Sequence, residues 1–252
     1  MKKILGVFLV IVLLCLCACN ANPRTNEADS IPTDPSTADG LTDSNQNDYE
    51  YEIKDGTATI VSHQYNPDEK EIIVPEKLEG NTVTVIEKDA FYQHKNTSSI
   101  ILPSGLEEIK GSPFYRCYSL KSSFIPHNVK SINGNPYFRC SSLESITVDA
   151  KNQNFCDDNG ILFNKDKTTL IAYPEGKTDA SYTIPTTVTK IEGDAFGYHT
   201  RIKELYILSN VIELPDYNMF YPQDIKIYVE SGSAAEKYVK EFDLNFEIIS
   251  QS

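Results

Sequence analysis

Tryptophan is absent from these 252 residues, methionine occurs twice and histidine four times. Cations are scarce: 23 Lys and Arg face 36 Asp and Glu, giving a formal charge of −13. That balance argues against non-specific nucleic-acid binding, which needs cations facing phosphates. It argues equally against adsorption on an anionic membrane by charge alone. Long apolar runs are missing as well. The run Ile4–Leu16 has 13 residues, against the ~20 that a membrane-spanning helix needs. Catalytic signatures are missing too: there is no G-x-S-x-G, no H-E-x-x-H and no phosphate-cradling loop. His63 and His127 stand beside no partner recognisable from sequence, and the carboxylates are spread as on a solvated face. Neither an enzyme nor a cofactor is expected. A hydrophobic fraction of 40% implies that part of the chain is not packed.

The unpacked part is at the N-terminus. Lys2 and Lys3 precede the 13-residue apolar run, as in an export signal. Leu16-Cys17-Ala18-Cys19 then resembles the lipobox of bacterial lipoproteins, with a small residue before the acceptor thiol. The resemblance implies a signal peptide over 1–18 and a lipid on Cys19, which converts a secreted chain into an anchored one. Removing residues 1–18 takes away two lysines and no acid, leaving −15. Residues 20–48 hold one cation, six acids and no aromatic. They cannot bury enough surface to offset their ordering entropy, so 19–48 reads as a lipidated, disordered spacer.

The packed part repeats itself. Val83, Leu106 and Val129 are spaced by 23 residues, as are Ile86, Ile109 and Ile132, and Phe91, Phe114 and Tyr137. The pattern resumes in Val188, Ile191 and Phe196, then in Val211, Leu214 and Phe220. A period of 20–29 residues is that of a leucine-rich-repeat solenoid. One such turn cannot bury its own apolar face. Stacked turns set equivalent residues about 4.8 Å apart and merge them into a continuous core. The predicted fold is mainly β: repeats over 81–230, preceded by cap strands over 49–80 with a hairpin turning at Asp55-Gly56. A second hairpin, around Asn164–Lys167, lies in an insert over 149–184, protruding from or lengthening one turn. A C-terminal cap over 231–252 carries a short helix started by Ser231 or Ser233.

The units ILPSGLEEIKGSPFYRCYSL and TIPTTVTKIEGDAF resemble the BspA-type leucine-rich repeat, a bacterial surface family. The resemblance covers about residues 50–240. It implies an exported, surface-held protein that binds host or bacterial surface components rather than transforming them.

Three residue groups could carry function. The column three residues after each Phe holds His94, Cys117, Cys140 and His199. Stacked side chains point in parallel and do not converge on a metal, so no metal site is expected. Cys117 and Cys140 on neighbouring turns stand within reach of a disulfide; two buried thiols are the alternative. Asp157–Gly160 reads as an Asn-Gly turn rather than a calcium loop. The third group follows each Phe: Tyr92, Tyr115, Phe138 and Tyr221, with Arg116 and Arg139 in the next column. Either these side chains cover the bend of each turn, or they form an exposed binding stripe of hot-spot residue types. The stripe reading expects Tyr115→Ala with Arg116→Ala to weaken binding and leave thermal unfolding nearly unchanged.

The expected function is non-enzymatic adhesion to an extracellular protein or glycan, on the outer face of a bacterial membrane. An assembly role in the envelope is the alternative, and a hydrolase built on the insert is less favoured. The −15 charge favours a basic or neutral partner.

Overall fold

The computed structural model describes residues 45–198, 201–220 and 225–250. Residues 20–44 of the spacer, Cys19, His199 and Tyr221 therefore lie outside the described residues, while Gln46–Asp48 at its end forms a short 3-10 turn.

The chain enters through an antiparallel hairpin, Tyr49–Lys54 against Thr57–His63. Asp55 and Gly56 both take positive φ (51° and 80°), the backbone that a tight two-residue turn demands. The second strand then pairs in parallel with Asn81–Ile86. From there the solenoid runs on: Ile86 faces Ile109, and Ile109 faces Ile132, in one parallel ladder. Each regular turn adds only two residues to this ladder, Glu108–Ile109 and then Ser131–Ile132. Ile86 and Ile109 are wholly buried, while Ile132 is only partly so.

A second side of the coil carries the longer strands. Glu71–Ile73 pairs with Ser99–Ile101, and Ser122–Ile125 with Ser145–Val148, all in parallel. In the C-terminal half, Ser181–Thr183, Glu204–Ile207, Lys226–Glu230 and Phe246–Ile249 form one parallel sheet. Between the two sides the apolar columns close the interior. Val83, Leu106, Val129, Val188 and Val211 are all fully buried. Phe91, Phe114 and Tyr137 stack ring on ring at 5.6 and 5.2 Å. Each such side chain is worth roughly 1.5–3 kcal/mol when taken out of water, and neighbouring turns supply the contacts that a lone turn lacks.

The insert lengthens one turn rather than protruding from it. Phe155–Asp158, Ile161–Asn164 and Thr169–Ala172 form an antiparallel meander, with Asn159 and Gly160 at positive φ in its first turn. Leu170 then faces Ile191 in parallel, so it occupies the isoleucine column. Tyr173 occupies the phenylalanine column: its N–H bonds Ala195 O, as that of Phe91 bonds Pro113 O, and its ring stacks on Phe196 at 5.7 Å. The meander separates two cores. Phe155 and Leu162 pack into the first, and Cys156, Ile161 and Phe163 into the second.

Ser233 starts the helix Ala234–Glu241 by accepting the Glu236 N–H on its hydroxyl at 3.0 Å. Ala235, Tyr238 and Val239 seal the last turn. The strand Phe246–Ile249, which the sequence did not reveal, completes the final sheet.

Candidate functional site

The aromatic column lies on a ridge at the bend of the turns. Phe91, Phe114 and Tyr137 are each followed by one residue in ordinary backbone and then by one with positive φ: Gln93 at 60°, Arg116 at 64° and Arg139 at 63°. Left-handed backbone costs a non-glycine residue roughly 1–2 kcal/mol. Hydrogen bonds between turns hold it: Gln93 N–H to Tyr115 O at 2.9 Å, and Arg116 N–H to Phe138 O at 3.2 Å. The reversal lays the Arg116 guanidinium over Tyr115 and Tyr92, and the Arg139 guanidinium over Phe138 and, closest, Tyr198.

What results is a ladder. Tyr92 stacks on Tyr115 at 5.4 Å, and Tyr115 on Phe138 at 5.6 Å with planes 10° apart. Arg116 Cζ lies 5.0 Å from the Tyr115 ring and 6.0 Å from that of Tyr92. Arg139 Cζ lies 4.1 Å from the Tyr198 ring and 5.7 Å from Phe138. Arg116 also donates from Nη1 to the Tyr92 hydroxyl at 3.2 Å. The five side chains Tyr92, Tyr115, Arg116, Phe138 and Arg139 therefore form one surface, with Tyr92 the most open at 40% exposure. Tyr115 is half-buried between two rings, so it serves the bend and the stripe together. Truncating it removes packing as well as contact surface.

Below the ridge lies a residue that sequence reading passed over. Glu175 stands two residues after Tyr173, the place that Arg139 holds after Tyr137. Its side chain turns inward and is 2% exposed. Oε1 accepts the N–H of Arg139 at 2.7 Å and that of Tyr198 at 3.0 Å. In a regular turn a backbone carbonyl does this work; here the long turn withdraws it and a carboxylate substitutes. Gly197, at φ 60°, has no room for a Cβ beside that carboxylate.

The cysteine column packs beneath the same bend. Cys117, Cys140 and Cys156 are free thiols. Cys117 Sγ donates to Phe91 O at 3.2 Å and Cys140 Sγ to Phe114 O at 3.0 Å, each one turn back. Burial, with Cys117 alongside, pushes the Cys140 thiol up, so Cys140 is no poised nucleophile. His94, first in the column, has no earlier turn to reach. It meets His63 of the hairpin instead, Nε2 to Nδ1 at 2.9 Å. Burial, and then His94, lowers His63 to about 4. Among the described residues no group of three metal-ligating side chains converges. His127 pairs with Asp149 at 3.4 Å.

An open groove of about 770 Å³ lies where the turns lose register, bordered by Lys88, Gly134, Lys190, Glu192, Asp194 and Tyr217. Its cause is in the chain. Four residues separate Ile109 from Phe114, but two separate Leu170 from Tyr173, so the long turn has no bend to fill that space. Asn135 bridges the gap from Nδ2 to Asp194 O at 2.9 Å. Glu192 is paired with Lys190 at 2.7 Å, and burial raises the Asp194 carboxyl.

The family model for the BspA type leucine rich repeat region matches six copies, over residues 70–178 and 172–226. The chain belongs to the BspA-type leucine-rich-repeat family. A BspA-type solenoid explains why ridge and cysteine column repeat at one period, and the groove opens where that period is broken. A leucine-rich repeat protein from Eubacterium ventriosum shares 24% identity and a TM-score of 0.52, over 72% of this chain and 63% of that one. The match thus spans less than two thirds of that protein, and it supports the fold. A leucine rich cell surface protein from Faecalibacterium prausnitzii matches at 14% identity and TM-score 0.39, over 85% and 97% of the two chains. The pneumococcal vaccine antigen PcpA matches at 18% and 0.36, over 82% and 98%. No curated protein matches the chain significantly.

Proposed function

We propose that this BspA-type chain is a non-enzymatic binding module, held outside a bacterial membrane by a lipid on Cys19 and a spacer over 20–48, that grips an extracellular protein or glycan. One observation carries the reading: three successive turns present stacked aromatics interleaved with guanidiniums on a single ridge. Aromatic and Arg side chains are the residue types that dominate binding hot spots, and a rigid ladder presents them with little ordering cost. The family supports a surface role, and a similar solved chain is described as a cell surface protein. Among the described residues no helix is long and apolar enough to cross a membrane. A hydrolase would need a free carboxylate pair in the groove, where Glu192 is engaged by Lys190.

The test is affinity capture with the full mature chain, from host matrix extract and from the producer's own envelope. Wild type should retain a defined partner that Tyr92→Ser loses at unchanged Tm. Capture from the envelope alone would favour the assembly role, and equal capture by both proteins would remove the ridge from the account. Cys19→Ala should shift the protein from the membrane fraction to the medium.

A further inference from the structure

We infer that Arg116 and Arg139 form an anion-binding pair whose ligand is an extended peptide carrying two carboxylates. The inference rests on the ridge being the binding surface and adds what the ridge selects.

The chain has four arginines, at 24, 116, 139 and 201, and two of them occupy equivalent ridge positions. Among the described residues neither has a carboxylate partner, while the ion pairs of the turns are made by lysine or histidine. Both Nε–H groups are covered and donate to no partner. Each guanidinium therefore has one donor shut off from water and no anion beside it, and an unpaired buried donor is a condition that native proteins keep for a reason. The rings cover the guanidinium faces, within 6.0 Å of Tyr92 and 4.1 Å of Tyr198. The remaining donors sit at the Nη edges, and an edge-presented planar fork is the geometry that recognises carboxylate.

The ridge favours a peptide over a sulfated glycan. Sugar rings stack on free aromatic faces, but the Tyr115 faces are used by Tyr92 and Phe138, leaving mainly edges. A long polyanion would also be repelled by the mature charge of −15, whereas two carboxylates can be matched by two guanidiniums. Residues i and i+2 of an extended peptide project to one side, about 6.6 Å apart. Adjacent turns are about 4.8 Å apart, a difference that arginine side chains absorb.

The experiment is fluorescence polarisation of the full mature chain with a fluorescein-labelled, C-terminally amidated hexapeptide of alanine carrying two glutamates at positions i and i+2. A labelled heparin-derived hexasaccharide forms the second arm. Arg116→Gly/Arg139→Gly is the informative variant, since glycine suits the left-handed backbone at both sites and the fold is kept. It should weaken peptide binding at least tenfold at unchanged Tm. Arg116→Lys/Arg139→Lys should recover only part of the affinity, and Lys54→Ala on the hairpin should change nothing. Peptide binding that survives the double glycine variant overturns the inference, as do binding of the hexasaccharide in preference to the peptide and no binding of either. If Tyr92→Ser loses partner capture while the arginine variants keep it, the ridge binds by its rings, and this inference fails while the binding module stands.

Discussion

Glu175 replaces a piece of backbone. Its carboxylate accepts two part-buried N–H groups, those of Arg139 and Tyr198. Removing it takes this acceptor away from both part-buried donors, at ~1–3 kcal/mol for each group stranded. Glu175→Ala should therefore lower the unfolding free energy by about 2–4 kcal/mol, and Glu175→Gln, which keeps one oxygen, by less than half of that. Urea denaturation of the two variants checks the order; equal losses would mean that volume matters and hydrogen bonding does not. In the sequence Glu175 was one acid among 36 Asp and Glu, with nothing local to mark it as buried. Its role comes from the length of the turn that carries it. The histidine pair is another residue-scale device. His63 titrates near 4 in the folded chain against about 6.5 for a free imidazole. The unfolded chain takes up the proton first, so this contribution is intact above about pH 6.5 and is lost as pH falls toward 4. Glu69, 4.0 Å from His63 Nε2, only partly opposes the trend. Between pH 7.5 and 4.5, His63→Phe/His94→Phe should lose roughly 2–3 kcal/mol less stability than wild type, measured by urea midpoints at each pH. Neither histidine pointed to the other in the sequence, because the partner comes from the capping hairpin 31 residues away.

At the scale of elements, the turn over 149–184 decides how the two halves join. Ile109 and Phe114 belong to one motif because four residues separate them; Leu170 and Tyr173 fill the same columns with two between them. A fixed-period reading therefore finds the regular turns and skips this one, although the hairpin within it was legible from Asn164–Lys167. The missing bend opens the groove, and Asn135 spans it. A surface decoration would tolerate truncation, whereas a wedge between cores would not. Phe163 is wholly buried in the second core. Phe163→Ala should cost about 3–5 kcal/mol, as much as Phe114→Ala in a regular turn. A loss below about 1 kcal/mol in chemical denaturation would return the meander to the status of an appendage. The ridge shows the complementary limit of sequence reading. Its members were legible as columns, but their stacking order depends on the left-handed backbone at 93, 116 and 139, which no glycine announces.

For the whole molecule, stability should follow the register of turns more than the number of residues, because each turn touches only its neighbours. Residues 105–127 make one full period, and deleting them brings Asn128-Val129 to the place of Gly105-Leu106. Ile132 then faces Ile86, Tyr137 stacks on Phe91, and Cys140 reaches Phe91 O in place of Cys117. Such a chain should fold with a β-type circular-dichroism spectrum, a lower Tm and a single cooperative transition. Deleting only 105–115 removes fewer residues but throws every later column out of phase, placing polar side chains where the apolar ladder runs. That shorter deletion should abolish the transition. If the 23-residue deletion were the one that failed to fold, stacking of equivalent positions would not be the force that organises this solenoid, and the ridge of Tyr92, Tyr115 and Phe138 would owe its alignment to something other than the repeat.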